Sequence, residues 1–299
     1  MPFTKPPALK PSDTVAVVAP SGPFDRESFD AGLAVLRSRY DVRFGEGLFE
    51  SHRYLAGSDE RRATELVAAL TNPDVKAVFA ARGGYGAMRV LDKVSLQRLP
   101  HKALVGFSDL TAIHAALQAA GRVSIHGPVV TQLGKQPAEI AQQLFGLLEN
   151  PLPPPLLRGQ PGRVPGKVQG PLLGGNLSVF TRLLGTPYMP SLTGCILLLE
   201  DVGERPYRLD RMWTHLKLAG VFKQVAGIVL GDFTNCEEKD AGYTSDDVLA
   251  SLVKETGLPC AGGFPLGHGT VNVAVPLGAR VELDAMQGTL TFLEGAVSA

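Results

Sequence analysis

The sequence predicts an α/β protein in two parts: an N-terminal parallel-sheet α/β domain over residues 1–150 and a smaller C-terminal β-rich α+β domain over residues 167–299. Three observations carry this. Short apolar runs alternate with helical spacing through the first half, the pattern of βαβ units with helices on both faces of a parallel sheet. Six prolines and three glycines between Pro151 and Gly166 then interrupt the pattern and read as a stiff linker over 151–166. Beyond them, short turn-bounded strands dominate the tail.

In order, Thr14–Ala19 is a buried-strand run closed by Pro20-Ser21-Gly22. Helical spacing follows over 26–39 through Phe29, Leu33 and Leu36, then a strand at Asp41–Phe44 and a helix over Asp59–Leu70. Ala77–Ala80 is a strand leading into Arg82-Gly83-Gly84-Tyr85-Gly86, and a helix is expected near Met88–Asp92. Ala103–Val105 feeds a turn at Ser108, followed by a helix through Ala120, a strand at Val123–His126 and a helix over Ala138–Leu148. Such a succession is flavodoxin- or Rossmann-like, with ligands expected at the carboxyl ends of the strands: at Pro20–Gly22, Arg82–Gly86 and Ser108. After the linker, Gly174-Gly175-Asn176-Leu177 opens a helix to about Leu184. The very apolar Gly194–Leu199 is a strand ending at Glu200-Asp201. Helices over 207–219 and 246–253 flank a strand at Val225–Leu230. Strands at 273–275, 280–283 and 289–292 suggest a small, partly closed sheet.

Composition narrows the function. Lys+Arg and Asp+Glu both total 29, so net charge gives no argument for nucleic acid or a membrane surface. The short basic stretches, Arg61-Arg62 and Arg37–Arg39, read as solvated helix faces. Cys195, Cys236 and Cys260 are odd in number and widely spaced, against a disulfide framework or a zinc ribbon and in favour of a reducing, cytoplasmic compartment. The N-terminus has no apolar core of a secretory signal, and no apolar run is long enough to span a membrane. No metal-binding motif and no cofactor fingerprint is present: Arg82–Gly86 matches neither G-x-G-x-x-G nor the P-loop.

Three side chains stand out. Ser108 lies between a strand end and a helix N-terminus, where unpaired N–H groups and the dipole favour a developing oxyanion; a simple helix cap at Ser108 or Asp109 is the competing reading. Glu200 closes a core strand, where a carboxylate needs a partner, unless it is a rim group reached by water. His268, alone among the six histidines, has glycine on both sides, so its loop can present the imidazole without steric bulk; an idle turn histidine is the competing reading. Ser…Glu…His is one of several orders in which a nucleophile triad occurs. Gly106-Phe107-Ser108-Asp109-Leu110 lacks the second glycine of the G-x-S-x-G elbow. Cys260 with His268 is a conceivable nucleophile pair, although a buried strand-end thiol is the simpler reading. His114 is expected to pack.

Four segments in order, Arg82–Gly86, Gly106–Ala112, Leu199-Glu200-Asp201 continuing to Tyr207 and Asp210-Arg211-Met212, and Gly267-His268-Gly269, make the chain similar to the serine LD-carboxypeptidase family, which includes murein tetrapeptide carboxypeptidases and microcin-immunity peptidases. Ala19–Gly22 and Gly174–Leu177 also fit. The resemblance implies Ser108 as nucleophile, His268 as general base and acid, Glu200 orienting the imidazole, and the backbone N–H groups of Gly84 and Asp109 as an oxyanion hole. It implies a site between two domains, a muropeptide stem as the small-peptide substrate, release of its terminal D-alanine, and a homodimer. Arg82 and Arg205 are candidates, by position alone, for holding the terminal carboxylate. Cleavage of a peptidyl-nucleotide antibiotic and a non-catalytic two-lobed binding protein are the alternatives.

Overall fold

The structure, a computed structural model, describes residues 2–240 and 242–299. Strand β1 (Thr14–Val18) leads through Pro20–Gly22 to α1 (Arg26–Arg37), whose first turn is capped by Asp25 accepting from the Ser28 N–H at 2.7 Å. Then come β2 (Asp41–Arg43), α2 (Asp59–Thr71), capped by Ser58, and β3 (Val75–Ala80). A glycine loop and two 3-10 turns, Ala87–Val90 and Leu96–Arg98, precede β4 (Ala103–Gly106). A further 3-10 turn, Ser108–Leu110, passes into α3 (Thr111–Ala119), then β5 (Ser124–His126), the short α4 (Val130–Leu133) and α5 (Ala138–Glu149).

These strands pair in parallel in the order β2-β1-β3-β4-β5, the flavodoxin-like order. The chain changes direction across the sheet between β1 and β3, so the loops after those strands and after β4 gather at one edge. Leu33 and Leu36 of α1 and Leu144 and Leu148 of α5 fill one face of the sheet. Leu66 and Leu70 of α2 and Ile113 and Leu117 of α3 fill the other. Each such side chain contributes roughly 1.5–3 kcal/mol by burial.

The second half runs β6 (Leu157–Arg158), β7 (Gln160–Val164), β8 (Lys167–Asn176), α6 (Leu177–Thr181), β9 (Ile196–Val202), α7 (Pro206–Leu218), β10 (Gly227–Thr234), α8 (Ser245–Thr256), β11 (Cys260–Gly262), β12 (Val275–Leu277), β13 (Arg280–Asp284) and β14 (Thr289–Phe292). Its sheet has the order β6-β14-β13-β8-β9-β10-β11-β7. The central pairs β8-β9, β9-β10 and β10-β11 are parallel, and the flanking pairs are antiparallel.

Three differences from the sequence expectation have local causes. The proline-rich stretch is extended as expected, but its later half is paired: β6 and β7 form the two edges of the second sheet, where proline's missing N–H costs no ladder bond. The ten-residue β8 was concealed by Gly170, Pro171, Gly174 and Gly175 inside it, which read as turn signals. The tail strands form no separate sheet. β12 crosses back and pairs antiparallel with β5, Val275 opposite His126, while β13 and β14 join the second sheet.

That crossing positions the site. Residues 263–274 connect β11 of the second sheet to β12 of the first, so His268 lies on a segment held at both ends by different sheets. A second tie is the Asn176 N–H at the end of β8, which donates to Thr111 Oγ1 at 2.9 Å on the first turn of α3.

Candidate active site

Ser108 sits two residues past the end of β4. Phe107 is extended, and Ser108 has φ of +62°, a left-handed conformation costing a non-glycine residue roughly 1–3 kcal/mol. Neither Ser108 nor Asp109 caps a helix: no side-chain cap bond is made at either the 3-10 turn or α3. Asp109 is buried, and its carboxylate accepts the Ala87 N–H at 2.7 Å, tying the serine turn to the end of the glycine loop. Burial raises its pKa.

The glycine loop packs directly on the serine. A Cβ at Gly83 would lie 2.9 Å from Ser108 Cβ and 3.1 Å from Oγ, so only glycine fits. The Gly22 N–H donates to the Gly83 carbonyl at 3.1 Å. Among the described residues, the N–H groups of Gly84 and Asp109 donate to no protein acceptor.

Glu200 is fully buried inside β9, which runs three residues further than the apolar run suggested; water at a rim does not reach it. Its Oε2 accepts from His268 Nδ1 at 2.6 Å, and His268 Nε2 lies 3.1 Å from Ser108 Oγ. With Nδ1–H committed to a carboxylate, Nε2 of the neutral ring is left to accept the serine proton. The flanking glycines are required by what lies beside them. A Cβ at Gly267, where φ is +107°, would overlap the Glu200 carboxylate, and one at Gly269 would overlap Asp232. Burial is the largest influence on the His268 pKa and lowers it. The Glu200 hydrogen bond, with the charges of Glu200, Asp201 and Asp232, outweighs burial and raises the pKa overall.

Several supporting residues were not legible as such in the sequence. Asn272, fully buried, accepts the Gly267 N–H at 2.9 Å and donates to Gln132 at 3.1 Å, clamping the histidine loop to the first half. Asp201 accepts from Asn176 Nδ2 and the Ser178 N–H, and burial pushes its pKa up to about 6. Arg62 corrects the expectation of a solvated helix face. It is fully buried, and its guanidinium donates to the Pro20 carbonyl, to the Gly86 carbonyl at 2.8 Å and to Asp59, stapling the two loops that flank Ser108. The signal was present: Arg62, Leu66, Ala69 and Leu70 fall on one helical face.

His114 packs as expected, bonding the Gly106 carbonyl at 2.8 Å and Ser124 at 2.9 Å. Cys260 is buried in β11 with its thiol pushed up to about 12, which removes the cysteine alternative. All three cysteines are free and buried. Arg205 is exposed and pairs with Glu238 at 3.6 Å; Arg82 is exposed on the glycine loop. Among the described residues no group of three or more His, Cys, Asp and Glu is placed to hold a metal, and no helix is long and apolar enough to cross a membrane.

Residues 15–127 match the model of the LD-carboxypeptidase N-terminal domain, and residues 169–283 that of the LD-carboxypeptidase C-terminal domain. A putative carboxypeptidase of Synechocystis is 40% identical, the alignment covering 97% of this chain and 98% of the relative. The chain belongs to the LD-carboxypeptidase family. A second relative within it, the probable murein peptide carboxypeptidase of Bacillus subtilis, is 37% identical over 98% of this chain and 95% of its own. The solved muramoyltetrapeptide carboxypeptidase of Oxalobacter formigenes superposes with a TM-score of 0.85 at 32% identity, covering 96% of this chain and 100% of its own. Both halves of this LD-carboxypeptidase, including the segments carrying Ser108, Glu200 and His268, fall inside those alignments by their extent.

Proposed function

We propose that the protein is a serine LD-carboxypeptidase that releases the terminal D-alanine from muropeptide tetrapeptides in cell-wall recycling. The observation that carries the mechanism is the unbroken contact chain Ser108 Oγ, His268 Nε2 and Nδ1, Glu200 Oε2, at 3.1 and 2.6 Å. Ser108 attacks the carbonyl of the third-position diamino acid while His268 takes the serine proton. The tetrahedral oxyanion is held by the N–H groups of Gly84 and Asp109. His268 then protonates the departing D-alanine amine, leaving an acyl-serine ester, and activates the water that hydrolyses it. Glu200 fixes the ring tautomer and stabilises the imidazolium. Substrate of this kind would reach the enzyme in the cytoplasm, and the proposal includes the homodimer that the family resemblance implies, which light scattering checks.

The test is D-alanine release from a purified tetrapeptide muropeptide, with Ser108→Ala and His268→Ala each expected to lower kcat by roughly 10³-fold or more. Cleavage of an acyl-sulfamoyl nucleotide in place of the muropeptide would move the assignment to the immunity activity. Failure of a serine-directed phosphonate to add covalently to Ser108 would leave a binding protein.

A further inference from the structure

A carboxypeptidase needs a countercharge for the free carboxylate of the residue it removes, and Ser108, His268 and Glu200 offer none. That carboxylate lies within about one residue length, ~3.5 Å, of the scissile amide, so its partner has to stand next to the nucleophile. The inference that follows rests on the carboxypeptidase reading.

Most arginines on the neighbouring loops and helices are already spent. Arg62 is buried between Pro20, Gly86 and Asp59. Arg61 pairs with Glu65 at 2.9 Å and Arg89 with Asp59 at 2.6 Å. On the opposite side, Arg205 faces Glu238 at 3.6 Å and Arg208 faces Glu204 at 3.5 Å. Arg82 differs. Among the described residues it has no carboxylate within ion-pair distance, and one Nη1 donates to the Pro23 carbonyl. Its backbone immediately precedes Gly83, the residue in contact with Ser108. Pro23 follows Gly22, whose N–H is bonded to the Gly83 carbonyl. The guanidinium is thus anchored to Pro23, on the loop bonded to the glycine loop, exposed, with its remaining donors uncommitted. A planar fork held this way suits bidentate capture of a carboxylate.

We propose that Arg82 is the specificity determinant for the substrate's terminal carboxylate. Its position on the loop that also carries Gly84 means that pairing the carboxylate with Arg82 draws the scissile carbonyl toward Ser108 and the Gly84 N–H. One element then couples recognition of a chain end to placement of the bond to be cut.

The test compares kcat/KM for a tetrapeptide stem ending in a free carboxylate with that for the same stem ending in a carboxamide. The wild type is expected to prefer the acid by roughly 10- to 100-fold, the range of a charge-assisted hydrogen-bond pair. Arg82→Ala should bring the ratio to within about threefold of one, and Arg82→Lys should restore part of it. Arg82→Gln, which keeps a donor for the Pro23 carbonyl, repeats the measurement without loss of that contact. Arg205→Ala should keep the wild-type ratio. An acid preference fully retained in Arg82→Ala and Arg82→Gln, or absent in an active wild type, overturns the assignment to Arg82. A wild type that releases no D-alanine from either peptide overturns the carboxypeptidase reading itself.

Discussion

Replacing Glu200 by glutamine separates the two effects of its carboxylate on His268. The shape is kept and the charge removed, at a fully buried atom 2.6 Å from Nδ1. Hydrogen bonds to charged groups are worth about 1.5–3 kcal/mol, roughly twice neutral ones. In the proposed mechanism, the imidazolium formed when Ser108 gives up its proton also loses an opposite charge worth about 4 kcal/mol at 4 Å and an effective dielectric of 20. Halving the hydrogen bond removes about 1–1.5 kcal/mol, and with the lost charge the combined loss of about 5 kcal/mol corresponds to a fall of roughly 10³- to 10⁴-fold in kcat. The pH dependence moves with it. In the wild type burial lowers the His268 pKa, but Glu200, aided by Asp201 and Asp232, raises it overall. The neutral base therefore accumulates only as pH rises through a value above the ordinary histidine one of about 6.5. In Glu200→Gln burial prevails, and the acid limb of kcat/KM moves to lower pH. Stability carries the same sign. A raised folded pKa adds stability that is fully present below about pH 6.5 and lost as pH rises through the folded value. Relative to wild type, Glu200→Gln should thus gain in Tm between pH 5.5 and 8.5. D-Alanine release against pH, with thermal melts at both ends, tests this. An acid limb that stays in place, or a loss of kcat below about tenfold, refutes the reasoning.

Three further outcomes follow from the same geometry. Gly83→Ala places a Cβ 2.9 Å from Ser108 Cβ and should cost about 10²-fold or more in kcat through misplacement of the nucleophile, measured beside the rate of phosphonate labelling. Arg62→Met leaves two loop carbonyls without their buried donor, while Asp59 keeps Arg89 at 2.6 Å, and should destabilise by about 2–6 kcal/mol in denaturant unfolding. His126 is buried with both ring nitrogens lacking a partner among the described residues, and burial brings its pKa down to about 3. A lowered folded pKa means stability present above about pH 6.5 and lost as pH falls toward 3, up to roughly 5 kcal/mol. His126→Phe should therefore shift the acid-unfolding midpoint downward, and an unchanged midpoint counts against it.

The first half was readable because its signals are local. β1, β3 and β4 are short, largely apolar runs, α1, α2, α3 and α5 carry clear stripes, and the loops at the strand ends carry Ser108 and the glycines; the four-residue α4 gave no such signal. The second half was less so, because its longest strand, β8, holds glycine and proline inside it, and because β12 pairs with β5, about 150 residues earlier in the chain, a pairing no local pattern encodes. At the site, Ser108, Glu200 and His268 stood out by their neighbours. Asn272, Thr111 and Asn176 did not, since their roles rest on bonds that include residues remote in the chain. Arg62 was misread from the Arg61-Arg62 pair, when its place on the Leu66 face of α2 pointed inward.

The missing glycine of the serine elbow has a physical explanation in the same contacts. A left-handed serine at a strand–helix turn crowds the residues two before and two after it. Gly106 meets the first demand: a Cβ there would come within 2.8 Å of the Leu110 side chain and 3.2 Å of Ala80. Leu110, at the second position, is buried beneath the turn and makes that contact. The space above the serine comes instead from another loop, at Gly83, against which Ser108 packs. The requirement for a second glycine has therefore moved from the serine's own pentapeptide to the loop after β3. That loop is held in turn by the buried Arg62 and by Asp109. A change at Arg62, far in sequence from the serine, should then act on Ser108 as strongly as a change beside it, and phosphonate labelling in Arg62→Met is the measurement that distinguishes this from a purely structural loss.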